Sequence, residues 1–226
     1  VTGVQTCALP ISGGSSFANE QLVTSTHVAT HIDALGHFSR DGLLHGGCPA
    51  DTVESVHGLG TLDAAEIGPI VRRGVLLDVA GHRGGANLEG GTAVTGAELA
   101  EVAAGGPAVG EGDVVLIRTG WSRFWDDAPR FNNAGAGWPG PDDSGARWLI
   151  EHGVWAAGSD TPAFECIPTP GDSVHALLLV DAGIYIIENL HLDELAAAGV
   201  REFLFLAMPL PIVGATGSPL RPLAVV

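Results

Sequence analysis

Short apolar runs separated by short amphipathic stretches that end on glycine organise the second half of this chain. Residues 114–117, 154–157, 184–187 and 203–207 are too short for helices and rich in β-branched or aromatic side chains, as buried strands are. Between them, residues 144–152, 173–181 and 192–198 read as helices stopped by Gly153, Gly183 and Gly199. Residues 75–79, flanked by Gly74 and Gly81, add an earlier buried strand. Thr95 is placed to cap a helix over 96–104, with Glu98 at the reciprocal position of a capping box. Residues 21–32 read as a strand entering a loop, residues 36–47 and 124–141 as loops, and the tail after Pro219 as one more strand. Alternation of this kind predicts an α/β domain.

A length of 226 residues suits one such domain. The net charge is −16, and all ten basic residues are arginines. A surface this acidic repels phosphate backbones, which argues against nucleic acid or an anionic membrane as partner. No apolar run approaches the roughly 20 residues needed to span a bilayer. Three cysteines cannot form a disulfide framework, so a reducing cytoplasm is the expected location. The glycine pairs form neither G-x-G-x-x-G nor a P-loop, which leaves nucleotide binding without support.

Residues 1–12, V-T-G-V-Q-T-C-A-L-P-I-S, differ in character from the rest. They lack the basic and apolar regions of a signal peptide. They read as a non-native, adapter-like leader, with an ordinary first strand as the alternative. On the leader reading the domain is residues 13–226, shortened at its N-terminus, and Cys7 carries no function.

The chemistry concentrates in H-V-A-T-H-I-D-A-L-G-H-F, residues 27–38, which holds three of the nine histidines and an aspartate. Imidazole and carboxylate are ligands for zinc, manganese or iron. A straight strand would put His27, His31 and Asp33 on one face, but four extended residues span about 13 Å, too far for two imidazoles to share an ion. A helix would bring His27 and His31 together and rotate Asp33 away. The chain must therefore bend near Ala29 or Thr30. His175, in an apolar helix, and Glu188, closing an apolar strand, form a second signal. A buried carboxylate is costly unless paired, hydrogen-bonded or metal-bound, and strand-end polar groups in α/β folds face the ligand crevice.

Together these residues resemble the cyclase family of metal-dependent hydrolases, which includes bacterial arylformamidases (kynurenine formamidases) and isatin hydrolases. The family pattern H-x-G-T-H-x-D-x-P-x-H-F is matched at His27, Thr30, His31, Asp33, His37 and Phe38. The chain departs from it at Ala29, where the family has Gly, and at Leu35, where it has Pro. S-D-T-P from Ser159, then His175, then I-I-E-N-L around Glu188 continue the likeness, which runs from about Phe17 to the C-terminus. The resemblance implies a swivelling β/β/α fold, usually dimeric, whose upstream segment carries part of the substrate pocket. It implies that His27, His31 and Asp33 bind metal, that Asp33 and Glu188 bridge where two ions are present, and that His175 completes the second site. His37 would be the general acid/base, and the cofactor one or two zinc or manganese ions per chain.

The expected activity is hydrolysis of a C–N bond in an aryl formamide, as in tryptophan catabolism, with an isatin-type lactam or other cyclic amide as the alternative. A non-catalytic metal-binding protein or inactive fragment is the alternative of another class. Arg118, ending a buried strand, is a candidate for a substrate carboxylate, with a structural ion pair as the other reading. Trp121 and Trp125, with Phe124 and Trp138, are candidates for an aryl surface, with core packing as the other reading. Cys166, near His175, offers a cysteine hydrolase, but free cysteine is most often inert packing.

Overall fold

The computed structural model describes residues 3–11, 15–132 and 135–226, with side chains described from Ala18 onward. Its centre is an eight-stranded mixed sheet. In chain order the strands are β3 (His31–Asp33), β4 (Ile70–Asp78), β5 (Val114–Arg118), β6 (Ala156–Ser159), β7 (Tyr185–Glu188), β8 (Glu202–Ala207), β9 (Gly217–Pro219) and β10 (Leu223–Val225). They lie in the spatial order β9-β3-β7-β6-β5-β4-β8-β10. The inner four, β4 to β7, are parallel and adjacent in chain order, and the outer strands pair antiparallel.

A helix follows each of the first three parallel strands: α1 (Gly96–Ala104), α2 (Asp143–Glu151) and the wide-turned α3 (Ala176–Ala182). These are the crossovers that parallel pairing requires. Strand alternation divides the core. Val75, Leu77, Val115 and Ile117 face Leu99 of α1 and Leu149 of α2, while Leu76, Val114 and Leu116 lie on the other face, which they share with Phe203 and Phe205 of β8. The short helix α4 (Asp193–Ala197) follows β7, with Leu192 in the second cluster.

The predicted elements fall within a few residues of these bounds. Thr95 caps α1 as expected, its Oγ1 accepting from the Glu98 amide at 3.2 Å. The capping box is not closed, because the Glu98 carboxylate takes two hydrogen bonds from Arg83 instead. Gly153, Gly183 and Gly199 follow their helices with positive φ of 64°, 69° and 68°, the left-handed turn that glycine adopts without penalty. The strand predicted over 21–32 divides, with β2 (Ser15–Val23) before the bend and β3 after it.

Of the stretch read as a leader, residues 1–2 and 12 lie outside the described residues. Residues 3–11 form β1 (Gly3–Ile11), paired antiparallel with β2 from Gly3 opposite Val23 to Ile11 opposite Ser15. No helix among the described residues is long and apolar enough to cross a membrane.

Candidate metal centre

The bend between His27 and His31 falls at Ala29, whose φ is 53°. This left-handed conformation, uncommon for alanine, turns the Ala29 carbonyl onto His31 Nδ1 at 2.9 Å. His31 Nε2 is thereby committed to the other side of the ring. On β3, His31 and Asp33 share one face, and Ile32 points into the opposite core cluster. Strand β7 pairs with β3 so that Glu188 stands opposite His31 and Ile186 opposite Asp33. His175 enters from the residue preceding α3.

These segments bring the predicted residues together. His27 Nδ1 lies 2.8 Å from Asp33 Oδ1, and His31 Nε2 lies 3.5 Å from the same oxygen and 3.3 Å from Glu188 Oε2. His175 Nε2 lies 3.3 Å from Glu188 Oε1 and 3.8 Å from Asp33 Oδ2. The His37 ring lies 4.3 Å from that of His27 and 6.2 Å from that of His175. Among the described residues, two groups have ligand atoms close enough to share an ion: His27, Asp33 and His37, and His31, Asp33 and Glu188. The geometry thus groups His37 with possible ligands, beside the acid/base role that the resemblance implies.

Two of these imidazoles, His27 and His175, are held from behind by side chains. His27 Nε2 meets Thr216 Oγ1 at 2.9 Å. The next residue must be small, since a Cβ at Gly217 would come within 2.7 Å of His27 Cε1. His175 Nδ1 meets Glu165 Oε1 at 2.7 Å, and Glu165 also accepts from the Val174 amide at 2.7 Å. A carboxylate on the far nitrogen fixes the tautomer and orientation of a ligating imidazole. Glu165 and Thr216 were not singled out in the sequence. Glu165 had a weak signal, an acid in the otherwise apolar A-F-E-C-I-P stretch shortly before His175, whereas Thr216 had none.

Charge and burial test whether these residues fit a cation. Both Asp33 oxygens are buried and make no hydrogen bond, although imidazole nitrogens approach them. Burial opposes protonation of His31, but the facing carboxylates of Asp33 and Glu188 overcome it and push its pKa up to about 10. His175 is likewise opposed by burial and pushed up to about 10 by Glu165, Glu188 and Asp33. Burial would raise the Asp33 carboxyl, yet the surrounding His27, His31 and His37 hold it well below the usual carboxylate range. His37 is lowered, first by burial, with His27 and His175 adding to the effect. Carboxylates that draw protons onto buried imidazoles in this way form a site that demands positive charge. A nitrogen and oxygen donor set around orphaned carboxylate oxygens fits a divalent cation.

A cavity of about 630 Å³ opens beside His27, with Val28, Trp125, Phe131 and Pro162 among its walls. No arginine is among its described lining residues. Trp125, one of the candidates for an aryl surface, is on that wall. Trp121 is not: it is buried, its Nε1 donates to the Phe131 carbonyl at 3.0 Å, and it packs on Phe124. Trp138 packs against the same cluster.

Arg118 is held away from the histidines, at the end of β5, two strands from β7. Its Nη1 lies 2.7 Å from Asp78, its Nε 2.7 Å from Asp193, and its Nη2 donates to the Ala86 carbonyl at 3.0 Å. These are the contacts of a structural ion pair. Asp160, of S-D-T-P, accepts from Thr119 N and Oγ1 and from Gly120 N, closing the turn after β5. Cys166 is buried, and burial raises its thiol pKa, the opposite of what a nucleophile needs.

A mixed sheet with helical crossovers and a buried histidine–carboxylate cluster at the end of β7 defines a class of metal-site α/β domain. The family described as "Putative cyclase" matches residues 4–166, and the chain belongs to that family. The matched span stops short of His175 and Glu188. An isatin hydrolase of Roseibium aggregatum is 32% identical over 130 residues, which cover 52% of this chain and 46% of that protein. The chain thus matches about half the length of this curated relative. The crystal structure of a novel cyclase superposes with a TM-score of 0.85 at 32% identity, covering 96% of this chain and 75% of that one. Isatin hydrolase A of Ralstonia solanacearum superposes with a TM-score of 0.73 at 26% identity, covering 99% of this chain and 82% of that one.

Proposed function

We propose that this chain is a metal-dependent hydrolase that opens the C–N bond of a cyclic amide, an isatin-type lactam being the nearest chemistry. The observation that carries the reading is Asp33. Both its oxygens are buried without a hydrogen bond among imidazoles and Glu188, and His27 connects that cluster to the cavity. The isatin hydrolases among the similar proteins favour the lactam over the aryl formamide first expected. So does a cavity lined without arginine among its described residues, since an amino-acid formamide would present a carboxylate to bind. The aryl formamide is the second reading, supported by the aromatic wall at Trp125.

His27, His31, Asp33, His175 and Glu188 would hold the ion, with zinc and manganese both suited to this donor set. A divalent cation held there supplies Lewis acidity, lowering the pKa of a water it binds to about 7 and polarising a carbonyl oxygen. His37 is the acid/base in this proposal. Burial keeps its imidazole neutral near pH 7, so it can take a proton from the attacking water. It then returns that proton to the leaving nitrogen, while the Asp33 carboxylate steadies the imidazolium in between. Water thus adds across the C–N bond and leaves a carboxylate and an amine.

The test is a count of divalent metal per purified chain by mass spectrometry, followed by hydrolysis assays with isatin-like lactams and N-formyl anilines. One or two ions with lactam turnover are expected. A folded protein that refuses both zinc and manganese on reconstitution overturns the reading.

A further inference from the structure

The loop that follows His37 lies along α3, the helix that His175 precedes. His37 and Phe38 stand at the His175 end, their rings 6.2 and 5.7 Å from that of His175. On its N-terminal side His37 is anchored through the backbone. The Ala34 amide donates to the Thr216 carbonyl and the Gly36 amide to the Leu62 carbonyl, each at 2.9 Å.

On the C-terminal side the loop bonds mostly to itself. Asp41 and Gly42, with φ of 52° and 76°, close a tight turn in which Arg40 and Leu43 exchange both backbone hydrogen bonds at 2.9 Å. The Leu44 amide donates to the Cys48 carbonyl at 2.8 Å. Among the described residues, two hydrogen bonds tie residues 38–48 to segments distant in sequence, and both land at the far end of α3. Arg40 Nη1 donates to Asp181 Oδ2 at 2.6 Å, and His45 Nδ1 meets the Val180 carbonyl at 2.9 Å. A carbonyl only accepts, so Nδ1 of His45 carries the proton.

The two ties are not equal. Arg40 and Asp181 are both partly exposed, and water weakens such a pair. His45 is the better seated. Its ring occupies the space that Gly183 leaves open, since a Cβ there would come within 2.5 Å of His45 Cε1. Leu44 is buried next to it, but apolar burial has no direction, whereas the His45 bond fixes where the loop lies along the helix.

We propose that His45 is a positioning residue. Its bond to Val180, with the Arg40–Asp181 pair beside it, clasps the loop to α3 and holds His37 at its distance from His175. This assignment rests on the reading of His37 as the acid/base, and it acts through the loop rather than through any proposed metal ligand.

The experiment uses two variants of the zinc-loaded protein. His45→Asn keeps an N–H near the position of Nδ1 and loses the ring. His45→Phe keeps a ring beside Gly183 and loses the N–H. Hydrogen exchange read by mass spectrometry follows the amides of residues 38–48, and kcat is measured on isatin or N-formylaniline, whichever the wild type hydrolyses. One lost hydrogen bond of this kind should speed loop exchange in His45→Phe by about tenfold. Because a misplacement of about 1 Å can cost about 100-fold in rate, kcat should fall by about tenfold or more, with KM and zinc per chain unchanged. His45→Asn should keep both loop exchange and kcat near the wild type. The reverse pattern, equal effects in the two variants, or faster exchange with unchanged kcat overturns the proposal, as does loss of zinc from His45→Phe. A wild type that hydrolyses neither compound overturns the hydrolase reading and this assignment together, whereas turnover with unaltered His45→Phe kinetics removes His45 alone.

Discussion

His31 and Glu188 face each other across two antiparallel strands, with Nε2 and Oε2 3.3 Å apart on backbone positions that pair in register. A shift of one residue in that pairing would send both side chains to the opposite face of the sheet. Ile32 and Ile187, buried on that opposite face, hold the register by their own burial. The apolar core thus aligns the proposed ligands, and the site is as fixed as the sheet is.

Replacing His31 tests that arrangement. His31→Ala removes an imidazole that approaches both Asp33 and Glu188, and metal per chain should fall from one or two ions to near none. Its melting temperature should also lose any response to added zinc or manganese. Mass spectrometry and a thermal melt read the two effects together.

Glu165 touches no proposed ligand atom directly but holds His175 by its far nitrogen. Glu165→Gln keeps the shape, loses the charge, and should weaken metal affinity by about 10- to 100-fold. A competition titration against a chromogenic chelator measures it. An unchanged affinity would mean that packing alone orients His175.

His37 separates two roles that share one neighbourhood. As an acid/base, His37→Ala should lower kcat by about 10²- to 10⁴-fold with metal content unchanged. As a ligand with His27 and Asp33, its loss should instead strip metal. Metal content and kcat measured on one preparation decide between them.

Arg118 bridges Asp78 and Asp193, and removing it leaves two carboxylates short of a partner. Arg118→Met should cost about 1–2 kcal/mol, the low end for a lost charged hydrogen-bond partner because Asp193 is well exposed. Urea denaturation reads this, and KM should stay within twofold. A KM rise above tenfold would return Arg118 to substrate binding.

Protons and cations compete for the same imidazoles. In metal-free protein His31 and His175 have folded-state pKa values near 10, above the roughly 6.5 of an unfolded chain. Their stabilising contribution is therefore complete below pH 6.5 and is lost as pH rises through about 10. Metal binding needs both rings neutral, so manganese affinity should climb between pH 6.5 and 9. Calorimetry at pH 8 in buffers of different ionisation enthalpy should show about two protons released per chain.

Much of the site was legible because its residues are close in sequence. Imidazole spacing alone demanded a bend near Ala29, and the bend is there as a left-handed residue. The parallel strands were equally legible, since burial on both faces produces continuous apolar runs such as residues 114–117. Partners supplied by distant segments were not. Thr216 reaches His27 only because β9 joins the sheet beside β3, a pairing that no local pattern encodes. Trp121 and Trp125 are alike in a sequence reading, and only the packing of Phe124 and Phe131 sends one into a core and leaves the other on a cavity wall. Arg118 read both as a substrate contact and as half of an ion pair, because its counter-charges, Asp78 and Asp193, come from before and after it in the chain.

His31 and Glu188 also stand at opposite ends of a long loop, with roughly 150 residues of chain between them. A cation gripped from both sides would act as a removable cross-link, and closing a loop of that length restricts the unfolded chain by about 5 kcal/mol in the chain-entropy view. Unlike a disulfide, such a tie comes and goes with supply, and its contribution grows with the logarithm of free ion concentration. The lifetime of the folded protein in a cell would then track metal availability, making its abundance a gauge of the pool from which it is loaded.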